Sequence, residues 1–142
     1  MEDKFYIHEE TQEVYVSLKT AKLLKKLGFE WEGHGFIGSE FYPNSTMKNW
    51  NDRHNVAIDY MFTVPTQSQA LKWLRDVKHI IIEVEFAHHN YFLRYVDTNP
   101  HYTIGDGHWQ KLGSNEGYDS YEEALETGIK KCLEMILMKD NI

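Results

Sequence analysis

A chain of 142 residues with 42% apolar residues suits a single domain, residues 1–142, with a real core, and 14% aromatics exceed what that core needs. A net charge of -7 argues against broad, non-specific nucleic-acid binding, and no apolar run reaches the ~18 residues that a membrane span requires. Cys132 is the one cysteine, so no intrachain disulfide can form and a reducing cytoplasm is the expected setting.

The N-terminal MEDKFYIHEE is acidic and lacks a long apolar run, so it reads as neither a secretory signal nor a transit peptide. Phe5 to His8 and Glu13 to Val16 are short β-like pieces around the polar turn Glu9 to Gln12. Ser17 is placed to cap a helix through Leu27, with Leu18, Ala21, Leu24 and Leu27 inward and Lys19, Lys22, Lys25 and Lys26 on a solvated face. Gly28 supplies a left-handed C-terminal residue, and Phe29 can pack back on Leu24.

Between Glu30 and Asn55, Gly33, Gly35 and Gly38 are too dense for a helix and predict a strand edge or a loop, and Pro43-Asn44-Ser45 predicts a turn. These glycines are not a phosphate loop, because no Lys-Ser or Lys-Thr pair follows at the required spacing. Val56 to Thr63 alternates as a strand, with Val56, Ile58, Tyr60 and Phe62 on one face.

Pro65 to Phe86 organises the rest. Thr66 and Gln69 form a capping box, and Ala70, Leu71, Leu74 and Val77 share one helical face opposite Ser68, Lys72 and Arg75. The period then changes to two: Ile80, Ile82, Val84 and Phe86 alternate with Ile81, Glu83 and Glu85, which predicts a strand central to its sheet. Ala87 to Asn90 turns the chain, and Tyr91 to Val96 returns as the antiparallel partner. Asp97 to Gly107 is a long loop and His108 to Leu112 a short edge strand. Ser120 and Glu123 open a closing helix whose inward stripe is Tyr121, Leu125, Ile129, Cys132, Leu133 and Ile136, with Glu126 and Lys130 paired outside.

The expected fold is therefore α+β: an antiparallel sheet including Val56 to Thr63, Ile80 to Phe86 and Tyr91 to Val96, with two or three helices, among them those starting at Thr66 and Ser120, packed mainly on one face.

Three segments, VSLKTAKLLKKLGF (Val16 to Phe29), PTQSQALKWLRDVKHIIIEV (Pro65 to Val84) and YEEALETGIKKCLEMI (Tyr121 to Ile136), resemble a group of small phage and prophage proteins. In that group a leucine-lysine helix comes first, a PTQS-x-A-x-KWLR helix leads into an I-x-I-E-V strand, and a YEEALE helix closes the chain. The match covers about half of the sequence, in the same order. The resemblance implies a phage-encoded accessory protein acting in the host cytoplasm and carries no activity with it.

Catalytic constellations are thin. His101-Tyr102-Thr103 is one half of a paired His-x-Thr phosphoesterase signature whose second half is missing. His101, Asp106 and His108 could meet on one loop as metal ligands or an acid/base pair, whereas the neighbours His88 and His89 diverge at a hairpin tip. Cys132 falls within an apolar stripe, as a small core residue does. No catalytic residue, metal or cofactor is expected. The expected mode of action is binding, with a small nucleotide-like ligand or a host protein as partner and a homo-oligomer as an open alternative. The proposed ligand residues are Trp31, Trp50, Trp73 and Trp109 as stacking faces, the helix start at Thr66, Gln67 and Ser68 for a phosphate, and Lys72 and Arg75 for charge. A protein-protein inhibitor, a small His-dependent phosphoesterase or metalloenzyme, and an assembly role are the competing readings.

Overall fold

In a computed structural model, which describes residues 3–37, 40–47, 61–101 and 104–140, the α+β class holds but the one expected sheet is replaced by three. Trp50, Gly38, Thr103 and the Val56, Ile58 and Tyr60 part of the expected strand lie outside the described residues. The chain divides into two compact units, Met1–Ser68 and Gln69–Ile142.

The first unit opens with a small hairpin, β1 (Tyr6–Ile7) and β2 (Val14–Tyr15), paired Tyr6 to Tyr15 and Ile7 to Val14. Its turn is held by His8, whose Nδ1 accepts from the amides of Glu10 (3.2 Å) and Thr11 (3.3 Å). Helix α1 (Leu18–Lys26) starts where Ser17 Oγ accepts from the Thr20 amide at 3.1 Å. It ends in a Schellman motif: Gly28 has φ +91, its amide reaches Lys25 O, and the Phe29 amide reaches Leu24 O at 2.9 Å. Leu18, Ala21, Leu24, Leu27 and Phe29 are all buried. The lysine face is less solvated than its charge suggests, since Lys22 and Lys25 lie 5.6 and 5.0 Å from the centre of the buried Phe62 ring.

The glycine-rich segment forms β3 (Gly33–Ile37), the middle strand between β4 (Glu40–Met47) and β5 (Met61–Val64), rather than an edge or loop. The reason is close approach. A Cβ on Gly33 would stand 2.9 Å from Thr63 Cγ2 and 3.3 Å from Val64 O. This pairing takes β5 away from the Ile80 strand, with which the sequence had grouped it. Pro43-Asn44-Ser45 is not a terminal turn but the irregularity inside β4, where pairing passes from His34–Thr46 to Gly35–Tyr42. Tyr15 packs edge-on against His34 (5.2 Å) and against Phe41 (5.1 Å), and Tyr6 stacks on Phe41 at 5.0 Å.

Helix α2 (Gln67–Val77) buries Ala70, Trp73 and Leu74, an i, i+3, i+4 stripe, while Val77, expected inward, is exposed. Two residues later the second unit's sheet begins. His79 takes φ +62, and its carbonyl accepts from Thr98 N and Oγ1, both at 2.8 Å. Strand β6 (Ile80–Ala87) pairs with β7 (Asn90–Asp97), which pairs with β8 (Gln110–Leu112), all antiparallel. Among the described residues β6 bonds to β7 alone, so the isoleucine-rich strand is an edge and β7 is the centre. Its high apolar content comes from packing against a helix, not from neighbours on both sides.

That helix is α3 (Tyr121–Asp140), started by Ser120 Oγ accepting from the Glu123 amide at 3.1 Å. It packs on β6 and β7. A Cβ on Gly128 would come 3.0 Å from Leu93 Cδ2 and 3.2 Å from Ile82 Cγ2, so this glycine lets the helix sit close. Leu125, Ile129, Cys132, Leu133 and Ile136 are buried as the stripe predicts, but two members of the pattern move. Tyr121 is exposed at the helix start, and Glu126 is only 5% exposed rather than on the outside, because the buried arc is about half the helix circumference and takes in its flank. No described helix is long and apolar enough to cross a membrane.

Candidate functional site

Alternation along β6 and β7 gives the second unit's sheet two unlike faces. Ile82, Val84, Leu93 and Tyr95 fall on the α3 side, and Glu83, Glu85, Phe92 and Arg94 on the other. On that other side lies a groove of about 400 Å³. Glu85, Ala87 and His88 come from the end of β6 and its turn, Phe92 and Arg94 from β7, and Trp109 and Lys111 from the β8 segment. Ser114 and Asn115 contribute from the following loop. The volume lies within the range of small-molecule sites.

One wall is a preformed stack. Arg94 Nη2 donates to Glu83 Oε1 at 2.7 Å, across the pair that the strand register makes directly opposite. Its guanidinium carbon lies 4.6 Å from the Trp109 ring centre. The ion pair is half-exposed and contributes at most ~1 kcal/mol to stability, so its main effect is to fix where the guanidinium and indole stand.

The loop wall is fixed as tightly. After β8 the chain bulges through residues 113–117 and returns at Tyr118, which exchanges two backbone hydrogen bonds with Tyr91 (3.0 and 2.8 Å). Tyr118 Oη accepts from the Ser114 amide at 3.0 Å, and Asn90 Nδ2 donates to Glu116 O at 2.9 Å. Gly117 (φ +84) is required, since a Cβ would stand 2.9 Å from both Asn90 Cβ and Tyr91 O. At the rim His88 and His89 both have positive φ (52 and 68), the sign required by a two-residue type I′ hairpin turn.

The histidine loop is organised by carboxylates acting as backbone caps. Buried Asp97 accepts from the amides of Asn99 (2.9 Å) and Ile104 (2.8 Å). Asp106 Oδ1 accepts from the His108 amide and from Gln110 Nε2, both at 3.1 Å, and these bonds hold its carboxyl below the usual carboxylate range. Asp106 thus bonds the backbone of His108 rather than its imidazole. Among the described residues no group of three His, Cys, Asp or Glu side chains is placed to hold a metal. Burial pushes the Cys132 thiol up to about 12, which leaves it a neutral core group.

Of the residues singled out from sequence, Trp109 lines the groove and is 43% exposed. Trp73 is 2% exposed, a core ring with no face open for stacking. Gln67, at 4%, is likewise closed off, Thr66 is part-buried in a β-bridge with Tyr15, and Ser68 is exposed. Lys72 and Arg75 are exposed and share Asp76, at 2.7 and 3.2 Å, so their charge is partly offset. Lys72 leads in holding the Asp76 carboxyl low. Trp31 is half-buried, its ring 5.9 Å from that of Phe29. The groove lining includes no α2 residue. Sequence reasoning missed Phe92, Arg94 and Lys111. The available signal was period two on the return strand, which sets Arg94 opposite Glu83.

A scan against protein-family models, a search of curated proteins and a search of solved structures each return no match for this chain.

Proposed function

We propose that the protein is a phage-encoded accessory protein that acts by binding rather than turnover, as a counter-defence factor that sequesters a nucleotide-type signal in the host cytoplasm. The observation that carries the binding part is the Glu83–Arg94–Trp109 stack on the wall of a groove of small-molecule size. Phe92 adds a second ring to the lining. Aromatic faces beside a cation suit bases, which stack tolerantly and carry charge at a distance. The phage assignment rests on the PTQS-to-IEV and YEEALE segments. Calorimetry of the purified chain against cyclic and ADP-ribose-derived nucleotides tests the ligand class. At least one should bind tighter than about 10 μM, or roughly -7 kcal/mol. Failure of the whole panel removes the nucleotide reading.

The second reading is inhibition of a host protein. It is favoured by the exposed rings at the hairpin end, where Phe86 (61% exposed) packs on Tyr91 at 5.0 Å and Tyr91 meets the exposed Tyr121 at 6.3 Å. Phe86→Ser with Tyr121→Ser should abolish capture of a host partner under that reading while leaving small-ligand binding intact.

A further inference from the structure

Two cationic side chains, Arg94 and Lys111, stand side by side on the same wall of the groove. Arg94 directs Nη2 to Glu83, but its Nε is buried with no hydrogen-bond partner. Buried as it is, that N–H is closed to a ligand, and what Arg94 offers the groove is the half-exposed remainder of its side chain. Lys111 stands directly opposite Arg94 in the β7–β8 register, is exposed, and has no ion pair among the described residues. Next to both is Trp109, already covered by the Arg94 guanidinium at 4.6 Å and still 43% exposed. Trp109 immediately precedes β8, Lys111 is the middle residue of that strand, and both side chains line the groove beside Arg94. Across the groove, the exposed carboxylate of Glu85 is an acceptor.

We propose that this wall recognises a nucleoside monophosphate unit, free or as part of a larger nucleotide, with the ring on Trp109 and the phosphate between Lys111 and the exposed edge of the Arg94 guanidinium. The inference rests on the binding reading above and names its chemistry. A cationic ring is disfavoured because Arg94 already lies over the indole. A neutral ring alone would bring no counter-charge to the two adjacent cations. Glu85 accepts from a ring amine or sugar hydroxyl and repels the phosphate toward the Lys111 end.

The test uses the full chain with adenosine, AMP, ADP-ribose and a cyclic dinucleotide as probes, followed by calorimetry or tryptophan fluorescence. AMP should bind at least tenfold tighter than adenosine. Lys111→Gln should remove that advantage while leaving adenosine unchanged, and Trp109→Leu should weaken both at least tenfold. Both positions are exposed, and unchanged melting curves will show that the variants fold. Equal binding of AMP and adenosine, or a phosphate preference that survives Lys111→Gln, overturns the proposal. If a larger nucleotide binds the wild type and both variants equally, this assignment falls and the nucleotide-binding reading stands. If no nucleotide binds the wild type, both fall.

Discussion

The two faces of the β6–β7–β8 sheet are built from the same strands and do opposite things. On one, Leu93 meets α3 at the place where Gly128 lacks a side chain, and the contact is closed by buried Ile129, Leu133 and Ile136. On the other, Glu83, Arg94, Trp109 and Lys111 hold charge and aromatic surface beside a groove, with two cations side by side. A period-two strand allows this division, because every second residue can be chosen for packing and the rest for chemistry. What distinguishes the faces is completeness. The α3 face is covered by the protein itself, and the groove on the open face is left uncovered by the described residues.

The sharpest way to break that contrast is to weaken the closed face. Leu125→Ala should cost about 2–5 kcal/mol, read from denaturant midpoints, because the side chain is buried among packed neighbours. A near-neutral result would mean that the faces are misassigned. Gly128→Val should cost ~1–3 kcal/mol by forcing Leu93 and Ile82 away from the helix.

Alkaline pH probes the same face chemically. The Cys132 thiol titrates near 12 in the fold against 9.0 for an ordinary thiol, so between these values the unfolded chain has lost a proton that the native one keeps. Stability from this group is complete below about pH 9 and declines as pH rises toward 12, a loss that Cys132→Ala should lack in melting curves. Alkylation of Cys132 in the native protein should be correspondingly slow at pH 8.

The open face should behave in the reverse manner. Replacing His88-His89 by Asn-Gly relieves two positive-φ residues and should stabilise the protein by about 1 kcal/mol, since that pair suits a type I′ turn. Glu83→Gln should change stability by less than ~1 kcal/mol, the ion pair being half-exposed, yet free the Arg94 guanidinium and weaken any ligand that relies on its position.

Local patterns made the helix ends, the second hairpin and the closed face legible. The α1 and α3 caps, the Gly28 terminus, the hairpin at residues 87–90 and the Leu125-to-Ile136 stripe all follow from short-range patterns. Strand partners did not, because pairing is non-local: nothing near Met61–Val64 announces that Gly33 makes room for Thr63. Burial at the margins failed for a related reason. Glu126 and Trp73 look outward or ambiguous by composition and are buried by what packs on them. Of the site, Trp109 was readable as an aromatic in excess of core needs, whereas Arg94 and Lys111 stand side by side only once β8 pairs with β7.

The most direct test of the central claim, that the open face is the binding face, is chemical-shift mapping of the ¹⁵N-labelled chain titrated with AMP and the nucleotide panel. The Trp109 indole and the amides of Phe92, Arg94, Lys111 and Ser114 should shift together, with Gly128 and the α3 stripe unmoved. Shifts centred on the α2 start at residues 66–69, or no shift with any nucleotide, would contradict it.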